Sequence, residues 1–252
     1  MLIVNTWVGG LGNSINVLTN ALHIVLYYKE QIKFTLPHKF FNLKYIENMF
    51  KDFTNNRNFK FNNDIFYKAK LINKHKLPSE IFNQNKNEVY DILRKSFIID
   101  QKDIIPLPED ILVIHIRSGD IFSKKPHKKY VPPPLWYYTN IINKHNFKQI
   151  IIVSENKLNP CVDKLLELYP NAVYNKNNII DDINIILGAS YIIYSVGTFV
   201  PSLLRLNPYI KRSFYTDEYK NELKDYYKYN LPWFNNKNQY NLILDYKYNK
   251  VE

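Results

Sequence analysis

Ile111 to Ile116 is an unbroken apolar run apart from His115. A run this short is expected of a strand buried on both faces at the centre of a parallel sheet. Parallel neighbours cannot be joined by hairpins, so crossovers must follow, usually helical ones. The chain supplies them in order. Leu135 to His145 is helical in pattern after the Pro132-Pro133-Pro134 start, and Gln149 to Val153 reads as a second buried strand. Asn159 to Tyr169 is a second helix, Ala172 to Tyr174 a short strand, Asp181 to Ser190 a helix and Tyr191 to Tyr194 another strand. Gly197 to Leu206 is predicted helical, and Phe214 lies in a final strand. The sequence βαβαβαβα predicts an α/β fold with an open, mostly parallel sheet and right-handed crossovers.

The first hundred residues are less regular. Leu2 to Trp7 reads as a strand, Gly9 to Gly12 as a turn, and Asn13 to about Tyr28 as a helix burying Leu18, Leu22, Val25 and Leu26. Ile32 to Leu36 is a short strand ended by Pro37. Glu80 to Ile98 carries a helical pattern, while 38–78 shows no clear order of elements. Pro106-Leu107-Pro108 marks a boundary before the regular part. The tail from 216 is polar, aromatic and Lys-rich, with a helix expected over 218–228 that packs back on the body.

Composition narrows the function classes. With 46% hydrophobic and 15% aromatic residues among 252, the chain is folded rather than disordered. A net charge of +11 favours anionic partners: nucleic acid, acidic membranes or nucleotide-bearing substrates. Its single cysteine, Cys161, excludes an intrachain disulfide and a cysteine zinc site, and fits a reducing compartment. No apolar run approaches the roughly 18 residues of a membrane span, so a cytoplasmic location is expected.

The chemistry concentrates at Val113-Ile114-His115-Ile116-Arg117-Ser118-Gly119-Asp120. Ligands of open α/β sheets sit beyond the carboxyl ends of the strands. His115 and Arg117 are two apart and so share a strand face, and arginine makes forked bonds to phosphate oxygens. Gly119 permits a tight turn, and Asp120 can fix a basic side chain or a sugar hydroxyl. The plainer alternative is a structural ion pair between Arg117 and Asp120. A second anion site is expected where Ser195, Gly197, Thr198 and Phe199 open a helix, since hydroxyls and unpaired backbone N–H groups meet there. Ser154 and Glu155 end the strand after that of His115 and can meet a nucleoside, or be a solvated loop.

Other chemistries find less support. Gly10-Leu11-Gly12 lacks the third glycine of a dinucleotide fingerprint, with Ile at position 15, and the strand ending near Leu36 offers no acid for a ribose. No Asp-x-Asp occurs, Asp181-Asp182 reads as a pair of N-capping carboxylates, and no histidine pairs at metal spacing. Metal-independent chemistry follows, with arginine and helix dipoles neutralising a leaving diphosphate. The basic, proline-rich loop from Ser123 to Tyr138 can cover a donor, with His127 or a lysine near phosphates and Tyr130 or Trp136 on a sugar face. Equally, it can be a rigid surface loop anchoring a helix, and a nucleic-acid patch is a third possibility.

His-Ile-Arg-Ser-Gly-Asp at 115–120 resembles the His-x-Arg-x-Gly-Asp signature of the α1,2-fucosyltransferases, glycosyltransferase family 11. Related forms occur in α1,6-fucosyltransferases, protein O-fucosyltransferases and plant xyloglucan fucosyltransferases. Gly9-Gly10-Leu11-Gly12-Asn13 resembles the N-terminal Gly-Gly-Leu-Gly-Asn of those enzymes, with Ser14 where they have Gln. The run from Asp182 through Leu187, Ala189, Ile192 and Ser195 to Thr198-Phe199 resembles their third motif, with Val200-Pro201 in place of tryptophans. The resemblance implies two Rossmann-like lobes of GT-B type: 1–105 on the acceptor side, 106–215 binding the sugar nucleotide, and 216–252 as the tail. It implies an inverting transfer to a glycan acceptor without a cofactor. GDP-fucose would be the donor, with Arg117 on its β-phosphate, His115 supporting, and Gly10, Gly12 and Asn13 facing the cleft. Asp120, His127 or the leaving phosphate would act as base. The rival reading is a non-catalytic basic protein that binds nucleic acid or polysaccharide.

Overall fold

The computed structural model describes residues 1–54, 59–60, 63–99, 103–175 and 178–247. The chain forms two compact units, Met1–Ile104 with Pro201–Leu206, and Ile105–Val200 with Asn207–Glu252.

In the first unit the strands are short: β1 (Leu2–Val4), β2 (Ile32–Phe34) and β3 (Phe59–Lys60), parallel in the order β2-β1-β3. Helix α1 spans Leu11–Tyr28 and buries most of its circumference from Ile15 to Leu26, although that stretch carries Thr19, Asn20 and His23. Its polar residues are satisfied inside. Asn20 Nδ2 donates to the Ile65 carbonyl at 2.6 Å, and His23 Nδ1 meets the Gln84 carbonyl at 3.2 Å. Burial holds the His23 imidazole at a pKa of about 4, hence neutral. Helices α2 (Leu43–Met49) and α3 (Lys68–His75) occupy the stretch that sequence patterning left unordered. The helical pattern from Glu80 is two elements, a 3-10 turn at Ser79–Phe82 and α4 (Lys86–Ser96). Asn85, in the left-handed region at φ 57°, breaks them apart.

The second unit carries a five-stranded, all-parallel sheet in the order β6-β5-β4-β7-β8. Its elements follow the chain: β4 (Ile111–His115), α5 (Leu135–Ile142), β5 (Gln149–Val153), α6 (Pro160–Leu168), β6 (Ala172–Asn175), α7 (Ile179–Gly188), β7 (Tyr191–Tyr194), α8 (Phe199–Leu203), β8 (Arg212–Phe214), α9 (Lys224–Asn230) and α10 (Lys237–Asp245). Central β4 pairs with β5 on one side and β7 on the other, placing His115 opposite Val153 and Tyr194. The α/β expectation holds, with one Rossmann-like sheet in this unit. Among the described residues the first unit has only its three short strands. The predicted tail helix over 218–228 is instead a 3-10 turn (Thr216–Tyr219) followed by α9 and then α10. The tail delivers Tyr226, Trp233 and Ile243, all fully buried, to the core that includes Leu112, Ile114 and Ile152. Residues 248–252 of the predicted tail lie outside the described residues.

Two helices depart from their patterns, one in length and one in register. The predicted Gly197–Leu206 helix is α8, five residues long. Only Phe199 and Val200 of α8 belong to this unit; Pro201–Leu206 belong to the first, where Ser202 Oγ donates to the Gly12 carbonyl at 2.9 Å and Arg205 Nη1 to Asn16 Oδ1 at 2.6 Å. Ser202 makes its bond from within α8, whereas Arg205 lies beyond the helix end at Leu203 and is held by Asn16. Helix α7 starts two residues earlier than predicted because Asn178, not Asp181 or Asp182, is the N-cap, its Oδ1 accepting from the Ile180 and Asp181 amides.

Candidate functional site

Strand order reverses between β4 and β7: β5 and β6 run outward on one side, β8 on the other. In open α/β sheets this switch point leaves a crevice beyond the carboxyl ends of the two strands, where the following loops diverge. The loop after β4 begins with Ile116-Arg117, the loop after β7 with Ser195-Val196-Gly197.

The two loops are stitched together. The Ser195 amide extends the ladder to the His115 carbonyl at 3.2 Å, and the Arg117 amide donates to Ser195 Oγ at 2.8 Å. Arg117 Nη1 lies directly over Gly197, where any Cβ would collide with it. Gly197 has φ 113°, a backbone conformation that favours glycine, and a side chain there would displace the guanidinium. The guanidinium is held on its other edge by Asp120, with Nε to Oδ1 at 3.2 Å and Nη2 to Oδ2 at 2.7 Å. The ion pair offered above as the plainer alternative is therefore formed. It leaves Nη1 turned toward the β7 loop. The Tyr130 ring covers the guanidinium at 4.6 Å, a cation–π contact that also limits its hydration.

The opposite flank of the loop is fixed by the strand end of β5. Ser118 Oγ donates to Asn156 Oδ1 at 2.6 Å and accepts from the Asn159 amide at 3.0 Å. Asn159 Nδ2 donates to the Arg117 carbonyl at 3.0 Å, while its Oδ1 caps α6 at the Cys161 amide. Ser154 Oγ donates to the Ile116 carbonyl at 2.7 Å. Ser154 is thus buried scaffold rather than an exposed ligand contact. Glu155 lies over Gly119, which sits at φ 60° with no room for a side chain beneath the carboxylate.

His115 packs against Phe199, ring centroids 5.6 Å apart. Burial first, and the Arg117 charge second, lower its pKa to about 4. It is a neutral imidazole near pH 7. Thr198 is half-buried in the turn that precedes α8. At five residues α8 sums few peptide dipoles, so the hydroxyls and amides of 195–198 count for more here than a helix field.

Gly10, Gly12 and Asn13 belong to the first unit. Gly10 is the N-cap of α1, its carbonyl accepting from the Asn13 and Ser14 amides, so the helix starts at Leu11 and Gly12 and Asn13 lie in its first turn rather than in a loop. Trp136 is half-buried against the core and covered by the Lys247 ammonium at 4.5 Å, which takes it away from the role of a sugar platform. His127 is exposed, its ring tilted against that of Tyr130 with centroids 4.4 Å apart. Cys161 is fully buried, and burial pushes its thiol pKa up, leaving it inert. Asp182 is half-buried beside Asn175, and burial raises its carboxyl to about 6. Among the described residues no cluster of three or more His, Cys, Asp or Glu is placed to hold a metal ion, and no helix is long and apolar enough to cross a membrane.

Sequence signals for Asn159 and Asn156 were incomplete. Asn-Pro reads as a helix cap, but nothing local reveals that Asn159 also holds the Arg117 carbonyl 42 residues away.

No protein-family model matches the chain, and no curated protein matches it in sequence. Among solved structures, it is similar to POFUT1 in complex with GDP: TM-score 0.48, 12% identity, 85% of this chain and 97% of that one. POFUT1 in complex with GDP-fucose gives TM-score 0.47 and 10% identity over 85% and 97%. The E. coli ADP-heptose lipopolysaccharide heptosyltransferase II gives TM-score 0.37 and 12% identity over 85% and 89%.

Proposed function

We propose that the second unit binds the diphosphate of a sugar nucleotide and that the protein is an inverting, metal-independent glycosyltransferase of GT-B type. One observation carries the reading: Arg117 and the Ser195–Gly197 turn converge on the switch point between β4 and β7, amide to hydroxyl at 2.8 Å. The cation is oriented on one edge by Asp120 and covered by Tyr130, which leaves Nη1 against Gly197 in the β7 loop. Such an arrangement is preorganised for charge that grows as a diphosphate leaves.

In this reading the glycosidic bond to the diphosphate breaks, the sugar becomes oxocarbenium-like, and an acceptor oxygen attacks the opposite face. Arg117 and the Ser195 and Thr198 turn stabilise the leaving oxygens. His115, neutral, donates or accepts one hydrogen bond without adding charge. Asp120 positions the guanidinium. The 115–120 signature names GDP-fucose as the donor to test first, with a glycan acceptor.

The test is release of nucleoside diphosphate from GDP-, UDP- and dTDP-sugars. Wild type is expected to release one of them, and Arg117→Ala, at an unchanged thermal midpoint, to lose about 10²–10³-fold of that rate. Release by Arg117→Ala at the wild-type rate overturns the assignment. So does no release at all, combined with oligonucleotide binding that weakens steeply with salt.

A further inference from the structure

The loop after the candidate site and the segment between α9 and α10 share a surface whose chemistry the donor reading leaves unused. Ser123 to Lys129 contains Lys124, Lys125, Lys128 and Lys129, all exposed. Both ends of that loop are tied to the later segment. Asn235 Nδ2 donates to the Phe122 carbonyl at 2.9 Å, and the Trp233 amide donates to the Lys128 carbonyl at 2.9 Å. Lys128 Nζ lies 5.1 Å from the Phe234 ring.

The later segment presents large apolar groups to water. Tyr229 is 69% exposed, Leu231 54% and Phe234 49%, while Trp233 between them is fully buried and anchors the turn through Nε1 to the Ile121 carbonyl at 2.7 Å. Burying one ring and exposing its neighbours holds Leu231 and Phe234 outward on a rigid base. Lys228 and Lys237 flank them, and neither 121–134 nor 226–244 contains an acidic residue. Continuous with this surface through Asn235 and Asn236 is an open cleft of about 390 Å³, lined also by Phe122, Lys157, Lys237 and Tyr240.

We propose that this face of the second unit docks on an anionic lipid surface, with Leu231, Phe234 and Tyr229 entering the headgroup–acyl boundary and the lysines of 124–129, Lys228 and Lys237 on lipid phosphates. Charge complementarity and the mixed side-chain set identify the partner. Aromatic rings and lysines together suit a membrane interface, and outward aliphatic Leu231 gains by burial in lipid but not by stacking on bases. Tyr130, at the end of the same loop, covers Arg117, so a docked loop would lie beside the candidate donor site. The proposal does not depend on the donor reading, because its test reads binding and not turnover.

The test is co-sedimentation of the whole protein with vesicles of phosphatidylcholine alone and of phosphatidylcholine mixed equally with phosphatidylglycerol. The expected result is about tenfold or greater preference for the anionic vesicles, lost at high salt. Leu231→Ser with Phe234→Ser, and separately Lys124→Ser with Lys125→Ser, are exposed changes expected to keep the thermal midpoint while each lowers binding about fivefold or more. Equal binding to both vesicles, no binding to either, or binding unchanged in both variants overturns the proposal. So does salt-sensitive binding of a single-stranded oligonucleotide, abolished by the lysine pair, in place of vesicle binding.

Discussion

His115 is set among protein atoms beside a fixed cation, and its pKa falls from 6.5 to about 4. The folded state therefore resists protonation that the unfolded chain accepts. Stability from the neutral ring is complete above about pH 6.5 and declines as pH falls toward 4. By linkage this removes about 2 kcal/mol at pH 5. Denaturant unfolding of wild type at pH 7.5 and 5 should show that loss together with a similar one from His23, whose pKa is also held at about 4, and His115→Asn should remove about half of the difference. An identical pH slope in the variant would mean that other groups carry it. Residue-level chemistry was partly legible beforehand. The spacing of His115, Arg117, Gly119 and Asp120 is local and survives as geometry, including the ion pair and the turn at φ 60°. Contacts of Arg117 with Ser195, Asn159 and Gly197 join distant parts of the chain, and no periodicity encodes them. Tyr130 was a candidate for a sugar face; its ring covers a guanidinium instead.

Elements buried on both faces were the easiest to read. Strands β4, β5 and β7 are continuous apolar runs, and their observed bounds differ from the expected ones by no more than a residue. Helix ends were harder, because caps and tertiary bonds decide them. Asn178 takes the cap expected of Asp181-Asp182, and the predicted Gly197–Leu206 helix stops at Leu203, short of Arg205, whose guanidinium bonds Asn16 on α1. The cap of α6 is the element most tied to the candidate site. Asn159 is fully buried, accepts from the Cys161 amide and donates to the Arg117 carbonyl. Asn159→Ala breaks both bonds and strands a buried carbonyl, so the expected loss is about 2–3 kcal/mol. Chemical denaturation measures it. A loss below about 0.5 kcal/mol would show that water replaces both partners.

At the scale of the molecule, the tail is part of the architecture of the second unit. Trp233 is fully buried, and with Tyr226, whose hydroxyl donates to the Pro132 carbonyl at 2.6 Å, it pins the loop from Ile121 to Pro132. Trp233→Ala is expected to cost about 3–5 kcal/mol. It should also speed amide exchange across Lys128–Val131 before the sheet strands exchange. Exchange unchanged in that loop would detach it from the tail. The aromatic tail was expected to pack back on the body, but which ring is buried was not visible, because one tryptophan among tyrosines does not announce it. The excursion of Pro201–Leu206 into the first unit has a consequence for biogenesis. While the ribosome is still making the strands of the larger sheet, the amino-terminal hundred residues lack the serine and arginine that close the start of their long helix. Their final bonds form only after residue 206 has emerged, so the part of the chain synthesised first is among the last to be finished.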